Sequence, residues 1–164
     1  MGLEAFRGVR DRMERVAVID GVTFINDTTA TAPIAAVAAL DALSRRGQVH
    51  LLAGGADKRL DPVPLAEAAA RHDAQVYLFT GTATPTLKTA LESNGVTPRG
   101  PFAGMADAVA AAWNEARAGD IIVLSPGCAS FGLFRDEFDR GDRFREAVEA
   151  LQGEIPRRSR DVAG

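Results

Sequence analysis

Residues 121–130 read IIVLSPGCAS, and this stretch decides the fold. Four consecutive apolar residues end abruptly in small and polar ones, and an amphipathic segment follows. A strand that is buried on both faces of a parallel sheet has this pattern when it leads through a tight turn into a helix. Open α/β sheets bind their ligands at such carboxyl ends of strands. We therefore predict a functional loop after residue 124.

Two other polar segments follow strand-like runs in the same way. Residues 26–33 read NDTTATAP, and residues 54–58 read GGADK. Because the carboxyl ends of parallel strands meet at one edge of a sheet, we expect the three loops to form a single site.

Strand-like and helix-like segments alternate along the chain. Asp20-Gly21 predicts a hairpin between strands at 15–19 and 22–25. Further strands are predicted at 48–53, 75–80 and 120–124, and a short edge strand, interrupted by prolines, at 96–102. Helices are predicted from a Thr31 cap to about residue 44, and at 60–71, 85–93, 105–116 and 131–151. This order predicts an α/β fold: one Rossmann-like, mostly parallel sheet with helices on both faces and an antiparallel N-terminal hairpin at its edge. Residues 153–164 are expected to form a flexible tail.

Composition restricts the classes of function. The 164 residues are 46% hydrophobic and 25% charged, as in an ordinary single globular domain. A net charge of -3 gives no reason to expect a nucleic-acid partner, and no apolar stretch is long enough to suggest a membrane. The single cysteine, Cys128, excludes an internal disulfide and favours a cytoplasmic location.

Several common catalytic motifs are missing. There is no Gly-x-Gly-x-x-Gly, and the segment from Gly81 to Lys88 lacks the second glycine of a Walker A loop. Two histidines, without a nearby cysteine pair or carboxylate cluster, do not predict a metal site. Ser125 and Ser130 have no obvious base, so covalent catalysis is not expected.

Four motifs, taken in their order along the chain, closely resemble the Mur ligases. They are Arg12-x-Glu14, INDTTAT at 25–31, LLAGG-x-x-K at 51–58, and LSPGCASF at 124–131 followed by Arg140-Gly141. Within that family they are similar to the C-terminal domains of the members that add D-glutamate to UDP-N-acetylmuramoyl-L-alanine. The resemblance spans roughly residues 6–151 and implies such a domain over 1–152, without the UDP-sugar-binding and P-loop ATPase domains.

The resemblance implies an amide-forming reaction in peptidoglycan precursor synthesis. ATP, with Mg²⁺ held mainly by the missing central domain, would phosphorylate the carboxylate of UDP-N-acetylmuramoyl-L-alanine, and the amine of D-glutamate would attack the acyl phosphate. In the family, the C-terminal domain brings in the amino acid and closes over the nucleotide. The chain alone is therefore not expected to be a complete ligase.

The resemblance also assigns residues to two ligands. Thr31, Lys58, Ser130 and Phe138 would contact D-glutamate. Arg12, Asn26, Asp27 and Thr29 would contact ATP, with Arg12 at the phosphates and Asp27 at the ribose. Many relatives have a lysine at the position of Thr29, so one positive charge is missing here.

Simpler interpretations of these residues remain open. Thr31 and Ser130 are also expected as caps of the helices that follow them, and Lys58 as a surface lysine. Phe138 shares an apolar stripe with Phe144, which favours the core. For the whole chain, three alternatives stand: the ligase domain, a non-enzymatic amino-acid or nucleotide binding module of the same ancestry, and an unrelated Rossmann-like domain.

Overall fold

The structure is a computed structural model, and it describes residues 8–154. The strands are β1 (Glu14–Ile19), β2 (Val22–Asn26), β3 (Val49–Ala53), β4 (Gln75–Phe79), β5 (Arg99–Phe102) and β6 (Ile121–Leu124). The helices are α1 (Pro33–Leu43), α2 (Val63–Arg71), α3 (Thr84–Ser93), α4 (Met105–Glu115) and α5 (Glu137–Gly153). The predicted alternation is confirmed, while the predicted tail lies, from residue 155 on, outside the described residues.

The six strands form one sheet in the order β1-β2-β6-β3-β4-β5. Only the β1–β2 pair is antiparallel, and each other neighbouring pair is parallel. The hairpin turn has positive φ at both Asp20 (51°) and Gly21 (80°), as a two-residue turn that matches the twist of its strands requires. The predicted mostly parallel sheet with an N-terminal antiparallel edge is therefore confirmed.

Helices cover both faces of the sheet. In β6, Ile121 and Val123 pack under α1, α2 and α3, whereas Ile122 and Leu124 pack under α4 and α5. Because side chains alternate between the faces of a strand, a strand buried on both sides must be apolar at every position. This accounts for the uninterrupted apolar run at residues 121–124.

Several helix starts differ from the predictions; α2, for example, begins at Val63 and not at residue 60. Helix α1 is capped at Ala32 and begins at Pro33, so Thr31 lies one residue too early to cap it, and no side chain does. Helix α5 begins at Glu137, because Gly132 takes a positive φ of 100° that interrupts a helix and Asp136 supplies the cap. The Asp136 carboxylate accepts a 2.7 Å hydrogen bond from the backbone N–H of Asp139.

A polar network centred on the buried His50 and Tyr77 lies towards the opposite, amino-terminal edge of the sheet. The ring of His50 contacts the Tyr77 hydroxyl at Nδ1 (3.0 Å) and the Asp120 carboxylate at Nε2 (2.9 Å). The Tyr77 hydroxyl donates a 2.6 Å hydrogen bond to Glu115. Burial, followed by the Glu115 carboxylate, raises the pKa of Tyr77 well above its usual value. His50 is thus a packed core residue.

None of the helices between residues 8 and 154 is long and apolar enough to cross a membrane.

Candidate functional site

Three loops leave the carboxyl ends of neighbouring strands. The first loop (27–32) follows β2, the second loop (54–62) follows β3, and the third loop (125–136) follows β6. Because β6 lies between β2 and β3, the third loop lies between the other two. The three segments singled out in the sequence therefore meet at one edge, as predicted.

Backbone hydrogen bonds fasten the third loop to both neighbours. The N–H of Gly127 donates to the carbonyl of Ala30 in the first loop (2.8 Å). Ala56 and Ala129 exchange N–H to carbonyl bonds of 2.9 and 3.3 Å between the second and third loops. Side chains next to these residues are thereby held in fixed relative positions.

The Gly-Gly pair of the second loop is explained by this close approach. Gly54 and Gly55 have φ of 102° and 146°, in the region that L side chains rarely adopt. A Cβ atom on Gly55 would also lie 2.5 Å from the carbonyl oxygen of Ala129. A larger residue would separate the second loop from the third.

Thr31 and Lys58 line one pocket at this edge, with Cys128 between their loops. The pocket has about 420 Å³ of empty space, part of it open to solvent. Lys58 is exposed, and it makes no hydrogen bond or ion pair with residues 8–154. Its ammonium group is therefore available to an anionic ligand that enters the pocket.

Ser130 directly follows the Ala129 contact but does not line the pocket. Its side chain is buried, and its carbonyl oxygen accepts a 3.2 Å hydrogen bond from the N–H of Phe134. The interpretation of Ser130 as the cap of the long helix is wrong, because α5 begins at Glu137 and its cap is Asp136, six residues after Ser130. The amides of the first turn of α5 are accordingly not the partners expected for a ligand at Ser130.

Phe138 lies on α5 and is 54% exposed, so its interpretation as a core residue is wrong. Six residues along an α-helix correspond to about 240° of rotation, which places Phe138 and the buried Phe144 on different faces. Its predicted contact with D-glutamate stays a prediction.

Arg12, Asp27 and Thr29 line a second cleft, between the first loop and α1. Arg12 is exposed; its backbone pairs with that of Val9, but its guanidinium forms no hydrogen bond or ion pair within the described range. A planar guanidinium in this position fits the phosphates of a nucleotide, which it can bind with two parallel hydrogen bonds.

The other two side chains of this cleft are engaged within the protein. The Asp27 carboxylate accepts hydrogen bonds from the Met13 N–H (3.0 Å) and from the Ser125 hydroxyl (2.8 Å). Burial raises the pKa of Asp27, although these two hydrogen bonds lower it in part. The Thr29 hydroxyl donates to the Asp11 carbonyl (3.0 Å). These groups shape the cleft before any ligand is present.

Asn26, the fourth residue assigned to ATP, does not line the cleft. It is fully buried, and its amide nitrogen donates to Asp11 Oδ1 (3.0 Å) and Glu14 Oε1 (3.1 Å). Its amide oxygen accepts from the N–H of Thr28 (3.2 Å). In this structure Asn26 holds the first loop in place.

The sequence analysis did not predict that Arg140 and Arg145 of α5 contact the loop side of the domain. Arg145 donates to Asp11 Oδ1 (3.2 Å) and Glu14 Oε1 (2.6 Å), and Arg140 is completely buried against the first and third loops. The Arg140-Gly141 pair was part of a recognised motif and could have suggested Arg140. Nothing in the sequence indicates the Arg145 contacts, which join residues more than a hundred positions apart.

The site loops hold no evident metal centre or activated nucleophile. No group of three or more His, Cys, Asp or Glu side chains in residues 8–154 is arranged to hold a metal ion. Burial raises the pKa of Cys128 to about 11, so its thiol is protonated at neutral pH. Cys128 is a buried packing residue.

A family model described as the glutamate ligase domain of Mur ligases matches residues 11–128. The UDP-N-acetylmuramoylalanine--D-glutamate ligase of Roseiflexus sp. (strain RS-1) is 49% identical over 151 residues, covering 91% of this chain and 32% of that protein. The ligase of the same name from Burkholderia thailandensis is 43% identical over 150 residues, covering 92% of this chain and 29% of that protein. The chain thus spans about a third of the length of these relatives.

Solved structures share the fold at lower identity. A murein peptide ligase from Psychrobacter arcticus is 20% identical with a TM-score of 0.61, covering 95% of this chain and 32% of that one. A bifunctional folylpolyglutamate synthase/dihydrofolate synthase from Yersinia pestis is 18% identical with a TM-score of 0.60, covering 90% and 32%. At these identities the likeness concerns the fold alone.

Proposed function

The chain belongs to the Mur ligase family, and from this premise we propose that it is the C-terminal, amino-acid-binding part of an ATP-dependent ligase. The proposed reaction joins D-glutamate to UDP-N-acetylmuramoyl-L-alanine in peptidoglycan precursor synthesis. ATP as the energy source and a reduced cysteine are consistent with a cytoplasmic location. The chain on its own is proposed to be inactive, because the family divides the reaction among three domains.

The pocket shared by Thr31 and Lys58 carries the proposal. Glutamate has two carboxylates, and one of them suits a pocket that is lined by an ammonium without an ion pair and by a neighbouring hydroxyl, with Asp57 also in its wall. An ammonium that already formed an internal ion pair would have to break it first, and Lys58 has none within the described residues. Ser130, beside the Ala56–Ala129 contact, is proposed as a further contact of D-glutamate.

The cleft between the first loop and α1 is proposed to receive ATP. Arg12 would bind its phosphates, while Asp27 and Thr29 form the wall of the cleft. The residue at position 29 adds no charge, so Arg12 supplies the cation on this side. The cleft and the D-glutamate pocket are both lined by the first loop, the cleft by Thr29 and the pocket by Thr31.

The side chains of this domain would act by placing the amino acid. When bound with its magnesium ion, ATP supplies the phosphoryl group that activates the acceptor carboxylate as an acyl phosphate. Lys58 and Thr31 would anchor a carboxylate of D-glutamate, so that its amine is held at one position instead of diffusing. The proposal gives this chain no proton-transfer residue.

Binding of D-glutamate can be measured residue by residue by NMR. We expect D-glutamate to shift the amide signals of Thr31 and Lys58 selectively, with L-glutamate giving weaker shifts. Lys58→Ala removes a charge-assisted hydrogen bond of about 1.5–3 kcal/mol, so the dissociation constant should rise about 10- to 150-fold. The matched control is Lys88→Ala, which removes the other lysine, paired with Glu92 on α3 at 2.8 Å.

Equal shifts with both enantiomers would contradict a D-glutamate site and leave a general carboxylate site. An unchanged affinity in Lys58→Ala would remove Lys58 from the proposal.

Catalysis requires the other two domains. We would replace the matching third of the Roseiflexus ligase with this chain and measure phosphate release that depends on both UDP-N-acetylmuramoyl-L-alanine and D-glutamate. Release dependent on both substrates supports the ligase domain. D-glutamate binding without any release supports the non-enzymatic binding module instead.

A further inference from the structure

Arg140, on the first turns of α5, is completely buried. Its Nε donates to Thr28 Oγ1 (2.9 Å) and its Nη2 to the Thr28 carbonyl (2.8 Å). Its Nη1 donates to the Cys128 carbonyl (3.0 Å). One guanidinium therefore binds the first loop twice and the third loop once.

All three acceptors are neutral, and within the described residues Arg140 forms no salt bridge. Removal from water lowers the pKa of Arg140 to about 10, because burial disfavours the charged form. An apolar side chain of similar volume would avoid that cost, as replacements of buried ions often do. Unlike an apolar side chain, the guanidinium hydrogen-bonds both loops and so fixes their relative position.

The surrounding residues are arranged to bring Arg140 close to the first loop. The Thr28 hydroxyl accepts from Arg140 and donates to the Glu137 carbonyl (2.7 Å), so it joins α5 at two points. A Cβ atom on Gly141 would collide with Asp11 Oδ1 and lie 2.9 Å from Thr28 Cγ2. Only glycine permits the helix to approach this closely.

We propose that Arg140 is a positioning residue that fixes the first and third loops relative to each other, so that the nucleotide cleft and the D-glutamate pocket form one site. Thr28 directly precedes Thr29 of the cleft and lies three residues before Thr31 of the pocket. Cys128 lines the pocket itself. The identity of the two ligands rests on the proposed function, whereas the coupling of the two loops by Arg140 does not.

Hydrogen exchange of the ligand-free chain tests the coupling directly. The N–H groups of Ala30, Gly127 and Ala129 are hydrogen-bonded within or between the loops. In Arg140→Lys we expect all three to exchange about tenfold faster or more, because one ammonium cannot reproduce a three-point planar contact. The matched control is Arg143→Lys on the same helix, whose exposed side chain pairs with Asp139 and Glu146.

The pattern of exchange separates positioning from a general loss of stability. Wild-type exchange in the loops of Arg140→Lys overturns the proposal, and so does an equal acceleration at every amide of the chain. If Arg140→Lys does not fold, Thr28→Val keeps the shape of the side chain and removes only its hydroxyl contacts. The same amides should then exchange faster, and their wild-type exchange in Thr28→Val overturns the proposal.

The chimeric ligase gives the functional readout. We expect Arg140→Lys to raise KM for both D-glutamate and ATP about tenfold or more, while Arg143→Lys leaves both unchanged. A fall in active enzyme with unchanged KM values is what a purely structural role would give, and it overturns the inference. An unmodified chimera without D-glutamate-dependent activity counts against the proposed function alone, since the exchange experiment still decides the coupling.

Discussion

The rate at which Cys128 is alkylated reports how well the third loop buries its thiol. Cys128 is the single cysteine of the chain, it is 8% exposed, and it lines the pocket of Thr31 and Lys58. Burial raises its pKa from the ordinary 9.0 to about 11, although the Arg140 guanidinium lowers it in part. At about pH 8, an ordinary thiol would be about 9% thiolate and Cys128 about 0.1%, a difference of about a hundredfold.

The assay is the rate of reaction with iodoacetamide, followed by mass spectrometry. Because the thiolate is the nucleophile, the folded chain should react about a hundredfold more slowly than the urea-unfolded chain, or slower still where access is restricted. The rate in the folded chain should rise about tenfold per pH unit between about pH 8 and 10, without a plateau. Saturating D-glutamate should slow it further, and Cys128→Ser should take up no label.

Rates within about tenfold of the unfolded chain would refute this reasoning, because they require an exposed thiol or a stabilised thiolate. A plateau below about pH 9.5 would refute it in the same way.

Three further predictions concern stability. Tyr77→Phe should lower the free energy of unfolding, measured in urea, by about 1–3 kcal/mol, because His50 and Glu115 lose a buried partner without any cavity being formed. Because folding raises the pKa of Tyr77, the neutral side chain contributes fully to stability below the ordinary tyrosine pKa of 10, and this contribution is lost as the pH rises further. Tyrosinate absorbance should therefore appear only together with unfolding. Gly141→Ala should cost about 1–3 kcal/mol by crowding the first loop, whereas Gly153→Ala, with nothing within 4 Å of its Cβ, should cost far less.

Each of these has a contrary result. A change below about 0.5 kcal/mol in Tyr77→Phe would show that its hydroxyl bonds are replaced by water. Tyrosinate formation near pH 10 in the folded chain would contradict its burial. Equal costs for Gly141→Ala and Gly153→Ala would mean that α5 moves away from the loop at little expense.

The arrangement of the sheet could be predicted because local signals agree with it. The apolar run at residues 121–124 requires a strand covered on both faces, and Asp20-Gly21 requires a hairpin. Polar loops after three strands then had to meet at one edge, whatever the order of the strands within the sheet.

Helix starts and side-chain roles were harder to predict, because they depend on contacts between distant residues. Phe131 extends an apolar helical pattern, but the backbone at Gly132 leaves the helical region and the helix starts only at Glu137. The motif suggests that Asn26 contacts a ligand, yet its amide nitrogen donates to Asp11 and Glu14 and its amide oxygen accepts from Thr28. No spacing in the sequence indicates such partnerships.

The position of β6 has a consequence for how the protein is made. It is the latest in sequence of the strands described between residues 8 and 154, yet it lies in the middle of the sheet, between β2 and β3. A growing chain that has not reached residue 124 holds a hairpin and a three-stranded piece with no strand to join them. Each piece exposes an open edge that can pair with another chain. Folding of the whole sheet must therefore wait until β6 has emerged from the ribosome, and a chain truncated before β6 should aggregate.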